Sequence, residues 1–231
     1  VTMGGIDPKE FIDELVFCLK EEDVVKAKAL LQFASDSDVD AQTQRKAMIE
    51  LAKGPENVVF PLLEYLIKVE ISDPEVQDSI YDLILDKSYG NTDLVIKYIT
   101  ENEKRARLLF LRAAGELLLE ETEPVLTQII TQESDNDILI EAVKSLGKLR
   151  RSDSLSVLAN MANQPEFEVR QAAIFAIAEI GGSDAVDQLL GFVGEDEQTN
   201  KSAVEALSEI QDLYALEKLT TLLSSSITLV R

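Results

Sequence analysis

Between Glu166 and Val193 the chain reads EFEVRQAAIFAIAEIGGSDAVDQLLGFV, and its apolar residues fall on two successive helical stripes. Ala172, Ala173, Ala176, Ile177 and Ile180 share one helix face; Gly181-Gly182-Ser183-Asp184 then breaks the pattern, and Val186, Leu189, Leu190 and Val193 begin a second stripe. The pattern predicts a helical hairpin. A lone hairpin leaves its apolar face in water, so it requires neighbours of the same kind. They are present. Leu146, Ile177 and Leu207 stand 31 and 30 residues apart, as do Leu158, Leu189 and Leu219 in the second helix and Ala142, Ala173 and Ala203 in the first. Small residues at the last three positions let neighbouring hairpins approach closely.

Upstream, RARLLFLRAAGELLLEETEPVLTQII keeps the register, with Ala114 placed 32 residues before Leu146 and with Leu126, Ile129 and Ile130 matching Leu158, Met161 and Ala162. Phe110 takes the alanine position there, which, with Leu111 beside it, predicts wider local spacing between hairpins. Two looser copies carry Ile80, Leu83, Val95, Tyr98 and Ile99 in one and Met48, Leu51, Leu63, Leu66 and Ile67 in the other. The first unit, with Phe11, Ile12, Leu15, Val16 and Leu19 on one face, is more apolar and reads as an end unit. Asp7-Pro8 supplies an N-cap followed by proline at the first helical position, with Glu10 close to a capping box. Asp73-Pro74-Glu75 and Gln164-Pro165-Glu166 open later units similarly, so proline is expected between helices rather than inside them.

These repeats predict an all-α chain: an α-α superhelix, or α-solenoid, of about seven helical hairpins. The expected units are 8–35, 40–68, 73–100, 104–131, 136–163, 166–194 and 197–224, in one domain from 8 to 231, with 1–7 set aside as a disordered or extraneous start. Val230-Arg231 lies 61 residues after Val169-Arg170, two repeat lengths. Either the array continues as part of a longer chain, or it ends on the polar run Ser224-Ser225-Ser226.

Composition narrows the partners. With 22 basic against 43 acidic residues the net charge is −21, and such a surface repels nucleic-acid phosphates and anionic membranes alike. The single cysteine, Cys18, lies in an apolar helical run among acidic neighbours, so it reads as a small core hydrophobe in a reducing compartment. Neither a signal peptide nor an apolar run of membrane-spanning length is present, and a cytoplasmic protein is expected.

The pattern E-V-R-x-x-A-x-x-A-[IL]-x-x-[IL]-G, followed by Ser-Asp-Ala and an apolar helix, resembles HEAT-like repeats, particularly the short bacterial and archaeal kind similar to those of phycobilisome lyases. The likeness is specific over 164–194, fair over 136–163 and 197–224, and loose before 104. It implies second helices lining a concave side and a scaffold or regulatory role in binding protein. Arg150-Arg151 and Gln211-Asp212 replace the Gly-Gly turn, which puts tight turns there in question.

Catalytic chemistry finds little to work with. There is no histidine, which removes the commonest general base, and with one cysteine a structural zinc site fails on ligand count. Asp36-Ser37-Asp38-Val39-Asp40 looks like the opening of a calcium loop but has Ala41 where glycine is needed and Ala47 where a bidentate glutamate belongs. Asp135-Asn136-Asp137 reads as a helix start. Lys104, Arg105, Arg107 and Arg112 form the one basic cluster, expected to be a solvated face paired with Glu101, Glu103 and Glu116. No catalytic residue, metal or cofactor is expected, and the chain is read as a non-enzyme.

One feature stands above this background. If the second-helix stripes face the core, Asp187, Gly191 and Gly194 face outward, and the same columns run through every copy. The middle one is Tyr65, Lys97, Gln128, Asn160, Gly191 and Thr221; the next is Lys68, Thr100, Thr131, Asn163, Gly194 and Ser224. Neither contains an acid, which on so acidic a chain predicts a concave groove that receives a protein or peptide. Ile49, Tyr81, Arg112, Lys144 and Phe175 occupy the outer column of the first helices. A lyase-like or regulatory enzyme component that binds a small ligand is the alternative.

Overall fold

Aspartates start the helices. Asp7, Asp40, Asp73, Asp135 and Asp196 each stand at an N-cap with the carboxylate accepting backbone N–H bonds from the first turn, for example Lys9 N to Asp7 Oδ1 at 2.9 Å and Thr199 N to Asp196 Oδ1 at 3.0 Å. Asp40 and Asp196 also accept from the hydroxyls of Thr43 and Thr199, both at 2.6 Å. These hydroxyl bonds, with the threonine N–H bonds, hold both carboxyls below their ordinary range. All five caps begin the first helix of a hairpin.

The computed structural model describes residues 7–36, 39–69, 71 and 73–224. Among them are fourteen α-helices and no strand. The helices follow one another in pairs: α1 (Pro8–Lys20) and α2 (Val24–Asp36), α3 (Ala41–Ala52) and α4 (Glu56–Lys68), α5 (Pro74–Ser88) and α6 (Thr92–Glu101), α7 (Lys104–Glu116) and α8 (Glu123–Gln132). Then come α9 (Asn136–Lys148) and α10 (Leu155–Met161), α11 (Phe167–Ile180) and α12 (Gly182–Gly191), and α13 (Glu197–Glu209) and α14 (Leu213–Ser224). The expectations for residues 1–6, Ser37, Asp38 and 225–231 lie outside the described residues. The chain forms two compact units, Val1–Leu94 and Val95–Arg231, dividing within α6.

In the first unit α3 packs between α1 and α5, α1 also meets α2, and α4 packs against α2 and α5. Phe11, Leu15, Leu51, Leu62, Leu63 and Leu66 are enclosed there. Cys18 is fully buried, and loss of solvation is the main force raising its thiol pKa. Ellman's reagent is therefore expected to leave Cys18 unmodified in the native protein and to react once denaturant unfolds it; rapid native-state labelling would contradict this burial.

In the second unit the first helices form the tight row, α9 lying along both α7 and α11, and α11 along α13. Ala142, Leu146, Ala173, Ile177, Ala203 and Leu207 are all fully buried in it. Two glycines bring the row closest: a Cβ on Gly115 would sit 2.8 Å from Ser145 Cα, and one on Gly147 would sit 2.7 Å from Ala176 Cα and Cβ. Ser145 Oγ donates across the same contact to Leu111 O at 2.6 Å. The predicted wider spacing at Phe110 is thus not found on the α9 side. Its ring stacks on Tyr98 of α6 instead, centroids 4.2 Å apart.

Three further differences have local causes. Pro61 sits inside α4, contrary to the expected placement; it is exposed, so the carbonyl freed by its missing N–H can be solvated. The turn at Arg150-Arg151 is tight after all, because Arg150 takes a positive φ (54°), and positive φ recurs at the same place in the flanking hairpins, at Leu118 (52°) and Gly181 (72°). A non-glycine residue held there costs about 1–2 kcal/mol. Finally, α12 ends at Gly191, so Phe192 turns inward while Leu190 and Val193, expected on the buried stripe, are only half-buried.

Candidate functional site

The second helices carry the columns read from the sequence. In the first unit, Lys68 is exposed on α4 and Tyr65 is half-buried with Lys28 Nζ 5.2 Å from its ring centroid. In the second unit, Lys97, Gln128, Thr131, Asn160, Asn163, Asp187, Gly191 and Thr221 are all exposed. Their chemistry is less free than their exposure suggests. The Thr131 hydroxyl donates to Thr127 O and Gln128 O at 3.1 and 2.9 Å, Thr100 and Thr221 donate to carbonyls of their own helices, and Asn163 Nδ2 donates to Ala159 O at 2.8 Å. Gln128 Nε2 reaches Gln132 Oε1 at 3.2 Å. Asp187 accepts from the Tyr214 hydroxyl at 2.7 Å, which raises the phenol pKa. These groups retain acceptor oxygens toward solvent, and a Cβ on Gly191 would meet nothing within 4 Å, so backbone there is open to approach.

The basic cluster is a paired face: Arg112 keeps the expected Glu116, while Lys104 and Arg107 meet acids farther along the chain. Lys104 meets Asp135 and Asp137 at 2.9 and 2.5 Å, and these bonds raise its ammonium pKa. Arg107 meets Glu133 at 2.8 Å and donates to Ile99 O, while Arg112 meets Glu116 at 3.0 Å. The Glu133 carboxyl is held low chiefly by the N–H groups of Ser134 and Asp135, and then by Arg107. The two Lys104 pairs bridge successive hairpins, where linear proximity is a poor guide.

The first helices supply a second site, of which the sequence reading named only the outer column with Lys144 and Phe175. A cleft of about 730 Å³ crosses α9, α11 and α13. Its floor is Ala172, Ala176 and the half-buried Phe175; Ile140, Lys144 and Lys148 line the α9 side, and Glu205 and Glu209 the α13 side. Glu179 and Glu209 are shared with an adjoining cleft of about 540 Å³ that runs over the turns at Arg150 and Gly181. The hollow exists because alanines, rather than larger side chains, cover the centre of α11. The repeat register did hold the signal: Lys144, Phe175 and Glu205 form one column and Lys148, Glu179 and Glu209 the next, each passing from lysine to glutamate. Lys148 stands 4.0 Å from Glu116, whereas Glu168, Glu179, Glu205 and Glu209 make no ion pair or side-chain hydrogen bond among the described residues. Glu205 and Glu209 are one turn apart, a like-charge pair that costs an isolated helix about 0.2–0.5 kcal/mol.

Among the described residues no three of His, Cys, Asp and Glu are grouped to hold a metal ion, and no helix is long and apolar enough to cross a membrane.

The chain matches no curated protein. Solved structures with a similar arrangement include an engineered protein, 18% identical over 86% of this chain and 96% of that one, with a TM-score of 0.47. Human deoxyhypusine hydroxylase in complex with glycerol is 16% identical over 98% of this chain and 89% of that one, at a TM-score of 0.40. A designed armadillo repeat protein in complex with the peptide (KR)4 is 16% identical over 92% and 98%, at 0.44. At these scores none of the three bears on what this chain binds. The family described as HEAT repeats matches residues 157–231, which hold the clearest copy and the one after it. Residues 157–231 are thus HEAT repeats, and helical hairpins in the same register run upstream of them.

Proposed function

We propose that this protein is a non-enzymatic interaction module that presents its second-helix row to a partner protein or peptide. The observation that carries the reading is the acid-free ladder of the second unit. Gln128, Thr131, Asn160, Asn163 and Gly191 are exposed in repeat register on a chain of net charge −21, and along these two columns an incoming backbone meets amides, hydroxyl oxygens and bare main chain, with the Asp187 carboxylate, bonded to Tyr214, beside them. The absence of histidine and the burial of Cys18 support the non-enzymatic part of the reading.

The test is Gln128→Glu combined with Asn160→Glu. Both side chains are exposed, so the melting temperature is expected to hold while partner proteins captured from native lysate, then purified and rebound, lose affinity by about tenfold or more. Equal affinity for wild type and variant would remove the ladder from the binding surface. Failure of the wild type to retain any protein would count against the interaction role itself.

A further inference from the structure

The cleft over α11 has the composition of a receptor for a particular kind of side-chain set. Its floor is apolar, and at about 730 Å³ it falls within the range of pockets that enclose a compact ligand, enough for a few side chains and too small for a folded domain. Its rim is charged unevenly. Four glutamates, Glu168, Glu179, Glu205 and Glu209, line it against Lys144 and Lys148, and Lys148 is already drawn toward Glu116 on α7.

Some acids elsewhere in the same unit are engaged. Glu123 meets Arg151 at 2.6 Å, Glu133 meets Arg107, and Asp135 and Asp137 share Lys104. The rim glutamates have no such partner among the described residues, and Lys201, one turn before Glu205, is not within ion-pair distance of it. An apolar floor beside uncompensated carboxylates is complementary to a large apolar side chain carried next to cations.

We infer that the α9–α11–α13 cleft is a second docking site, taking a short segment of a partner protein that inserts a large apolar residue over Phe175 and sets neighbouring lysines or arginines against Glu179, Glu205 and Glu209. The site shares with the second-helix ladder only the premise that the chain binds protein. The Gln128→Glu/Asn160→Glu variant leaves this cleft intact, so either surface can fail without the other.

The probe is the fluorescent peptide Gly-Ser-Leu-Phe-Lys-Arg-Lys-Ser-Gly, titrated with the full chain and read by anisotropy. Saturable binding is expected, weakened about tenfold or more by Glu205→Lys/Glu209→Lys and likewise by Phe175→Ala, with folding checked by thermal melting. Changing Leu-Phe to Ser-Ser in the peptide is expected to cost a similar factor, and changing Lys-Arg-Lys to three glutamates to abolish binding. Glu101→Lys/Glu121→Lys makes the same change in net charge away from the cleft and is expected to stay within about twofold of wild type. An absence of saturable binding would overturn the proposal. So would equal loss in the two charge-reversal variants, which would assign binding to the field of the whole chain, or indifference to the Ser-Ser peptide, which would leave the apolar floor without a role.

Discussion

Phe110→Ala is expected to destabilise the second unit by about 3–5 kcal/mol, although it makes the repeat more regular. Alanine stands at the equivalent positions 142, 173 and 203, so a consensus argument would favour the change. The packing argument opposes it. Phe110 is fully buried, its ring stacks on Tyr98 with 14° between the planes, and Tyr98 is itself enclosed. Truncation removes the stack and leaves a ring-sized hollow between α6 and α7 that neighbours cannot close without moving backbone. Chemical denaturation of wild type, Phe110→Ala, Tyr98→Ala and the double variant would measure it. The cycle is expected to show coupling of about 0.5–1.5 kcal/mol between the rings. A loss below about 1 kcal/mol for Phe110→Ala would mean that the ring is not packed as described.

Much of the architecture could be read from the chain because stacking writes itself into sequence at every repeat. Ala142, Ala173 and Ala203 are small for one reason, closeness of the neighbouring first helix, and that reason recurs with each hairpin. The N-cap aspartates are equally legible, since a carboxylate facing the open N–H groups of a first turn is a local interaction. Contacts between hairpins were harder to foresee. Lys104 finds Asp135 and Asp137 rather than Glu101 or Glu103, because residues a full repeat away stand beside it. The left-handed turn at Arg150 was obscured by its residue type: the hairpin imposes the conformation whether or not glycine is there to ease it. At the candidate surface, outward-facing positions followed from periodicity, but the bonds of Thr131 and Asn163 to their own helices did not. The outer column with Lys144 and Phe175 was legible from register, but the hollow beside it was not, because it is made by the shortness of Ala172 and Ala176, and a missing side chain carries no apolar or polar signature.

Gly147→Ala is the second substitution where a local rule and the packing disagree. In an exposed helix interior, glycine to alanine gains about 0.8–1 kcal/mol through backbone entropy. Gly147 lies inside α9 in the tight row, where the added Cβ would stand 2.7 Å from Ala176 Cα and Cβ and 3.1 Å from Ala176 O, main chain that cannot swing aside. The α9–α11 contact must open, and a net loss of about 1–3 kcal/mol is expected, visible as a lower denaturation midpoint. Adding Ala176→Gly removes one of the clashing atoms but not the Cα, so only partial recovery is expected. Gly191→Ala is the matched control: a Cβ there meets nothing within 4 Å, and the variant is expected to be neutral or up to about 1 kcal/mol more stable. If Gly147→Ala were instead to stabilise the protein as Gly191→Ala does, the first helices would have to be farther apart than described. The α11 cleft, whose two sides are set by that spacing, would then widen with them, so this measurement of stability also tests the geometry on which the docking site depends.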